Sequence, residues 1–173
     1  LSLATARSLA AAHLAITGAA VTIAATASNL RQLSAADIAA FAGLGATTFV
    51  ATDAAVPLSL AQKAALGAAG VTLKQPLAGG TYQTLTYNAD GSIHDIAYDG
   101  YVGRAYTSSN VLYGANGKAA SATYSNGMTA VWSYNSDKTY QIAYASVTGP
   151  AYTSYTLSYG ANGKAASATY SNG

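Results

Sequence analysis

The stretch YGANGKAASATYSNG at residues 113–127 occurs again without change at residues 159–173, which gives a period of 46 residues. Asn116-Gly117 and Asn126-Gly127 lie within it. Asn-Gly between alternating runs is the strongest short-range signal for a β-hairpin, because both turn residues adopt positive φ. The stretch therefore predicts antiparallel hairpins that recur along the chain.

Turn signals every 10–14 residues divide each 46-residue unit into about four strands. We expect these strands at about 119–124, 128–134, 139–147 and 152–159. Because side chains alternate along a strand, one face becomes aromatic and the other becomes small and hydroxylic. An antiparallel meander with cross-strand Tyr ladders fits this pattern, and so does a propeller blade.

The N-terminal part of the chain has another composition, with 26 Ala in the first 78 residues and all 14 Tyr after residue 80. It predicts helices at about 2–12, 34–43 and 59–69, which alternate with short β-branched strands. Ser34 and Asp37 have the spacing of a capping box, and Gly67 or Gly70 is expected to end the third helix. Such helix–strand units are typical of an α/β solenoid or a small layered domain.

These patterns predict an α+β chain, in which an N-terminal α/β (helix–strand) repeat segment precedes an antiparallel β-hairpin repeat array. The change in composition predicts domain limits of 1–78 and 79–173. Since the chain begins without Met and stops inside a repeat, we expect it to be part of a longer protein.

Charged residues make up only 8% of the chain, and it contains neither Glu nor Cys. The usual hydrolase, zinc-protease and nucleotide-binding motifs are absent from the sequence, so we expect no enzyme activity. The eight Lys and Arg residues are scattered singly, which argues against nucleic-acid binding.

One Ala-rich stretch, at residues 9–27, is long enough to cross a membrane, but His13 and Gly18 interrupt it. The Leu-Ser-Leu-Ala motif that precedes it also recurs at residue 58, where it again opens an Ala-rich stretch. A targeting segment has no reason to recur in mid-chain, so we expect a structural module and no membrane insertion.

Polar residues cluster at 88–99, where oxygens at alternate positions are similar to the start of a calcium-binding loop. Ile93 stands where such a loop needs Gly, and Asp90-Gly91 is more simply interpreted as a hairpin turn. An offset of 46 residues aligns His94 with Tyr140, so the cluster is peculiar to the first copy of the 46-residue repeat. The candidate calcium ligands are Asn88, Asp90, Asp95 and Asp99.

Regularly spaced aromatic residues are candidates for stacking on sugar rings, because Tyr has both an apolar face and a hydroxyl group. Ladders that only brace a thin sheet would give the same pattern, so both interpretations stay open. The candidate stacking residues are Tyr98, Trp132, Tyr134, Tyr140, Tyr144 and Tyr155.

Two family resemblances follow from these motifs. The Ala-rich units, with strands such as VTIAATASNL and TTFVATDAAV, resemble repeats of large bacterial surface proteins, the adhesins and haemolysin-like proteins exported by type I secretion. The Tyr-rich units YNADGSI, YGANGKA and YNSDKTY resemble the hairpin repeats of YD-type (Rhs-like) proteins and of choline- and glucan-binding modules. Asn or Gly replaces the Asp of the Tyr-Asp motif, and Trp132 is the single Trp.

The resemblances imply a structural or adhesive repeat module of an extracellular, cell-surface bacterial protein. Its expected partners are neighbouring repeats, further copies of itself, or surface glycans. The alternatives are a carbohydrate-binding module that uses the Tyr-rich face, and a repeat shell that encapsulates a toxin. We expect no cofactor, and calcium is the single candidate that the polar cluster leaves open.

Overall fold

The computed structural model describes residues 1–149 and 151–171, where the chain forms four α-helices and eleven strands. The strands are both parallel and antiparallel, so the predicted α+β class with a β-rich part is confirmed. Contacts divide the chain into two compact units, Leu1–Gly100 and Tyr101–Gly173. This division lies about 20 residues beyond the change in composition near residue 79.

The α-helices belong to the first unit, and each begins after a Ser or Thr whose side chain accepts a hydrogen bond from the first turn. The predicted capping box is confirmed, since Ser34 Oγ accepts from the Asp37 amide and Asp37 Oδ2 accepts from the Ser34 amide. None of the helices in the described residues is long and apolar enough to cross a membrane. The helices are α1 (Leu3–Ala11), α2 (Ala27–Arg31), α3 (Ala35–Gly43) and α4 (Leu60–Ala69), followed by a 3₁₀ turn at Ala78–Gly80.

Five strands of the first unit lie side by side in chain order. The first three are parallel and are joined by helical connections, whereas the last two add antiparallel neighbours. They are β1 (Val21–Ala25), β2 (Ala46–Ala51), β3 (Thr72–Pro76), β4 (Tyr82–Tyr87) and β5 (Ile93–Asp99).

A continuous row of buried side chains crosses these five strands. Each member lies opposite the next in the register of the sheet, and all are nearly inaccessible to solvent. The row consists of Ile23, Phe49, Leu73, Leu85 and Ile96. Because its last two members come from the Tyr-rich part of the chain, the first Tyr-rich hairpin belongs to the first unit.

Helix α4 lies directly against the turn between β4 and β5. A Cβ at Gly67 would overlap the backbone carbonyl of Asn88, and a Cβ at Gly91 would lie 2.8 Å from Leu60 Cδ1. The helix ends at Gly70, whose φ of 64° gives a left-handed cap. Gly67 therefore permits close packing inside the helix, and Gly70 ends it.

The second unit is a sheet of six antiparallel strands, also in chain order. The predicted strands are found within a few residues of their expected bounds, the largest difference being that the last begins at Tyr155 instead of 152. They are β6 (Ser108–Tyr113), β7 (Ala119–Tyr124), β8 (Thr129–Tyr134), β9 (Tyr140–Ala145), β10 (Tyr155–Tyr159) and β11 (Ala165–Tyr170).

The contacts of the second unit recur at the 46-residue offset. The pairing of β6 with β7 has the same register as that of β10 with β11, including one shift at the same place. The Ser125 amide donates to the Ser108 carbonyl, and the Ser171 amide donates to the Ser154 carbonyl, each at 3.0 Å. Equal sequence thus gives equal local structure at both positions.

The alignment of His94 with Tyr140 is wrong. Tyr87 lies opposite Ile93 in the first hairpin, and Tyr134 lies opposite Tyr140 in the corresponding hairpin, so Ile93 is the counterpart of Tyr140. His94 is an extra residue at a register shift in β5. A β-bulge accommodates one such insertion without changing the pairing on either side.

Candidate functional site on the aromatic sheet face

The aromatic face is the side of the second sheet that carries Trp132, Tyr134, Tyr140, Tyr144, Tyr155 and Tyr159. The register brings these residues together, because Trp132 lies opposite Ile142, and Tyr140 lies opposite both Tyr134 and Tyr159. Tyr144 likewise lies opposite Tyr155. The predicted face assignment of these strands is therefore confirmed.

Small residues form the floor of the aromatic face. Ala122, Ala130 and Ile142 are at most 7% exposed. Rings on neighbouring positions pack over them, which small side chains permit. The surrounding residues are Val111, Tyr124, Trp132, Tyr140, Tyr144 and Tyr159.

Two pairs of tyrosines stack across neighbouring strands. The Tyr140 and Tyr159 ring centroids are 4.5 Å apart with an interplanar angle of 4°, and those of Tyr144 and Tyr155 are 4.6 Å apart at 14°. Each such pair contributes about 0.5–1.5 kcal/mol beyond the area that it buries. The rings thus brace β9 against β10.

Burial raises the pKa of the central tyrosines. Desolvation raises the pKa of Tyr144 above its ordinary value, and the nearby Tyr124 hydroxyl adds to the effect. The pKa of Tyr124 is raised for the same reasons, with Tyr106 as its neighbour. Since an ordinary Tyr is already neutral at pH 7, the raised pKa values extend the neutral form of these phenols to higher pH.

A shallow pocket of about 370 Å³ opens at one end of the aromatic face. The residues that line it include Trp132 and Tyr134 of β8, and Asn116 and Lys118 of the loop between β6 and β7. The Lys118 ammonium group lies 4.6 Å from the centroid of the Tyr134 ring, which is a cation–π contact. The pocket thus combines two aromatic rings, one amide and one cation.

The structure separates one candidate stacking residue from the others. Tyr98 lies on β5 in the first unit, opposite Gln83, whereas the remaining five belong to the second unit. Sequence reasoning missed Lys118 and Tyr159. Tyr159 lies four residues after Tyr155 on the same strand, and this even spacing indicated that both share a face. Lys118 directly follows the predicted Asn116-Gly117 turn, which placed it at the start of a strand.

The candidate calcium ligands fall into two places. Asn88 and Asp90 lie in the turn between β4 and β5, whereas Asp95 and Asp99 lie along β5. Asp90 Oδ1 accepts hydrogen bonds from the Ser92 hydroxyl at 2.6 Å and from its amide at 2.9 Å. These bonds lower the pKa of Asp90 and hold the turn closed.

The same turn recurs between β8 and β9. Asp137 Oδ1 accepts from the Thr139 hydroxyl at 2.6 Å and from its amide at 2.9 Å, and the pKa of Asp137 is lowered accordingly. Within residues 1–149 and 151–171, no three His, Cys, Asp or Glu residues are grouped so as to hold a metal ion. The turn bonds explain why Asp90 stands where it does, and calcium binding stays a prediction.

Comparison with known proteins returned no match to a family model, a curated protein or a solved structure. The resemblances drawn from short motifs therefore stay predictions.

Proposed function

We propose that this chain is a structural and adhesive repeat module of a large extracellular bacterial surface protein, and that it is not an enzyme. The observation that carries the proposal is the recurrence of the same strand register and turn bonds at an offset of 46 residues. In repeat proteins each unit contacts mainly its neighbours, so length is gained by duplication.

The polar side chains of the turns support this function because they stabilise the turns themselves. Asn116 Oδ1 accepts from the Lys118 amide at 3.0 Å, and Asn162 Oδ1 accepts from the Lys164 amide at the same distance. Asp90 and Asp137 are engaged in the same way. These hydrogen bonds therefore give the corresponding turns of successive 46-residue repeats the same shape.

The aromatic face supports the adhesive part of the proposal. Rows of Tyr rings brace the sheet with their stacked faces and leave their outer surfaces partly exposed. Aromatic side chains with a polar end are enriched at binding surfaces for this reason.

Single-molecule stretching of the complete chain, held by its two ends, tests the structural function. If each 46-residue unit resists force by itself, its unfolding releases about 160 Å of chain, at about 3.5 Å per residue. We expect unfolding in discrete steps of this size or of simple fractions of it, one per hairpin. Extension without measurable resistance would contradict a load-bearing function.

The pocket at Trp132 supports carbohydrate binding as a second candidate function. An aromatic wall beside a cation and an amide suits a sugar ring that carries a carboxylate or sulfate group. Lys118 and Lys164 occupy the same position in identical sequence, but Trp132 and Tyr134 line the pocket beside Lys118. Lys164 is therefore a matched control.

A glycan array with the complete chain tests this candidate. We expect acidic glycans to bind, and we expect Trp132→Ala and Lys118→Gln to abolish the binding while Lys164→Gln leaves it unchanged. Equal loss in the two lysine variants would show a charge effect without a site. An array without any bound glycan would exclude the candidate.

A further inference from the structure

Strands β7 and β11 have the same sequence, AASATY, and each pairs in the same register with the strand that precedes it. Five residue pairs join β6 to β7, and the five pairs that join β10 to β11 lie 46 residues further on. The backbone pairing of the two strands is therefore the same on this side, and it differs on the other.

The other side of β7 is occupied by the hairpin β8–β9. Ala122 lies opposite Ala130, and the Tyr124 amide donates to the Met128 carbonyl at 2.9 Å. In the described part of the chain, β11 pairs with β10 alone. Among residues 1–149 and 151–171, no strand occupies the corresponding edge of β11, which is called the open edge below.

The open edge presents the backbone groups of Ala168 and Tyr170. Because the Ser171 amide donates to the Ser154 carbonyl in β10, the alternation of an antiparallel pair directs Thr169 and Ser167 towards β10 as well. Ala168 and Tyr170 then point their N–H and C=O groups outwards, as Ala122 and Tyr124 do towards β8.

Apolar surface accompanies these backbone groups. Ala122 is 2% exposed beneath the hairpin β8–β9, whereas its counterpart Ala168 is exposed and Tyr170 is 42% exposed. Edge strands are commonly protected by Pro, charged side chains or bulges in their middle. Residues 166–170 of β11 contain neither Pro nor a charged side chain.

We propose that the outer edge of β11 binds a hairpin of the β8–β9 sequence, presented by a further 46-residue unit. The bound hairpin adds its first strand antiparallel to β11, with the residue equivalent to Ala130 opposite Ala168. Its aromatic residues then cover Ala168 as they cover Ala122. This inference rests on the proposed repeat function and names the partner of that repeat.

A synthetic hairpin of residues 127–146, added to the complete chain, provides the test, with amide hydrogen exchange as the measurement. We expect the amides of Ala168 and Tyr170 to exchange about tenfold more slowly with the peptide, because they become hydrogen-bonded. No slowing at these two amides at millimolar peptide would overturn the proposal.

Two N-methylated peptides form a matched pair. The Asn135 amide donates to the Thr139 carbonyl, so alternation directs the Ala130 amide away from β9 and the Ile142 amide away from β8. Methylation at either position leaves the bonds of the hairpin intact, but only methylation at Ala130 blocks the docking edge. We expect the peptide methylated at Ile142 to bind and the peptide methylated at Ala130 not to bind. Equal binding of both peptides would overturn the proposal.

Variants of the chain test the same edge from the other side. Ala168→Pro removes an outward amide at an edge position, where Pro is tolerated, and Ala168→Ser keeps the amide. We expect Ala168→Ser to bind the peptide and Ala168→Pro not to bind it, while the Thr169 amide stays protected in both. Binding by Ala168→Pro would contradict the proposed register. If Ala168→Pro unfolds β11, the comparison of the two N-methylated peptides on the unchanged chain tests the proposal instead.

Sedimentation of the chain alone distinguishes a rival occupant. If two copies pair through β11 and the peptide does not compete, the edge is a homodimer interface and the proposal is wrong. Failure of peptide binding together with stepwise unfolding under force would reject the docking edge and keep the proposed structural function.

Discussion

The hairpins β4–β5 and β8–β9 have the same turn and different surroundings. In both, an Asp accepts two hydrogen bonds from the Ser or Thr that lies two residues later. Leu85 of the first hairpin is buried opposite Ile96, beside helix α4. Trp132 occupies the corresponding position in the second hairpin and lines an open pocket.

The difference shows that one hairpin design serves two purposes. Where a helix covers the hairpin, aliphatic residues extend a buried core. In the hairpin β8–β9, over which no helix lies among the described residues, aromatic rings cover the small floor residues. The residue at the position of Leu85 or Trp132 therefore follows the surroundings of the hairpin.

The turns follow the same distinction. Gly91 has a φ of 83° and lies against α4, where a Cβ would meet Leu60 at 2.8 Å. Lys138 has the equivalent left-handed φ of 70° and is exposed. Close packing explains why the covered turn has Gly, whereas the open turn tolerates a long side chain at some cost in strain.

The largest expected effect is that of Leu85→Ala. We expect it to lower the free energy of unfolding of the first unit by about 3 kcal/mol, since it leaves a cavity in a buried row. The matched change, Trp132→Ala, removes a ring that is mostly buried against small floor residues but still partly exposed, and should cost about 2 kcal/mol in the second unit. Urea denaturation followed by circular dichroism measures both, and a larger cost for Trp132→Ala would contradict the comparison.

Gly67→Ala should have the next largest effect. The added methyl group meets the Asn88 backbone, so we expect a loss of about 2 kcal/mol as helix and hairpin separate. Gly43 is also helical but has open space around its Cβ position, and Gly43→Ala should be neutral or stabilising by up to about 1 kcal/mol. Equal stability of both variants in urea would show that α4 does not press on the hairpin.

Alkaline pH should lower the stability of the second unit, which contains the hairpin β8–β9. Burial raises the pKa of Tyr144 above about 10, the pKa of Tyr in unfolded chains. The contribution of the buried Tyr144 to the free energy of unfolding is therefore complete below about pH 10 and is lost as the pH rises above that value. We expect about 1 kcal/mol of loss at pH 11, reduced from the full linkage value because the ring is partly exposed.

The single Trp of the chain reports this loss, because Trp132 lies in the second unit. Unfolding monitored by its fluorescence should become less sensitive to pH in Tyr144→Phe, which keeps the ring and removes the ionisable group. An unchanged pH profile in this variant would contradict the assignment.

The smallest expected effect is that of Lys138→Gly. Relief of the left-handed strain is partly offset by the greater freedom of Gly in the unfolded chain, so we expect a gain of about 0.5 kcal/mol. Thermal unfolding of the second unit measures it. Destabilisation by this change would show that the Lys138 side chain makes a contribution that outweighs the strain.

Local signals predicted much of this fold. Ser34 with Asp37 marked the start of a helix, and Asn116-Gly117 marked a hairpin, because caps and turns depend on residues close in sequence. The buried row that joins Leu73 to Leu85 was not predicted, since it depends on contacts between segments of unlike composition. The insertion of His94 was missed because a constant offset hides a bulge.

The candidate site was predicted in part for the same reason. Alternation placed the aromatic residues of each strand, such as Tyr140 and Tyr144 of β9, on one side of it, which requires only the period of a strand. The position of Lys118 beside Tyr134 depends on how β7 pairs with β8, and no local pattern contains that register.

One measurement tests directly whether the two identical segments of the chain have the same structure in different surroundings. The segments 113–124 and 159–170 are identical in sequence, so nuclear magnetic resonance can compare them within one molecule. We predict equal backbone secondary shifts in both segments, with slow amide exchange at Ala122 and Tyr124 and fast exchange at Ala168 and Tyr170. Different secondary shifts, or equal protection at these two pairs of amides, would contradict the account.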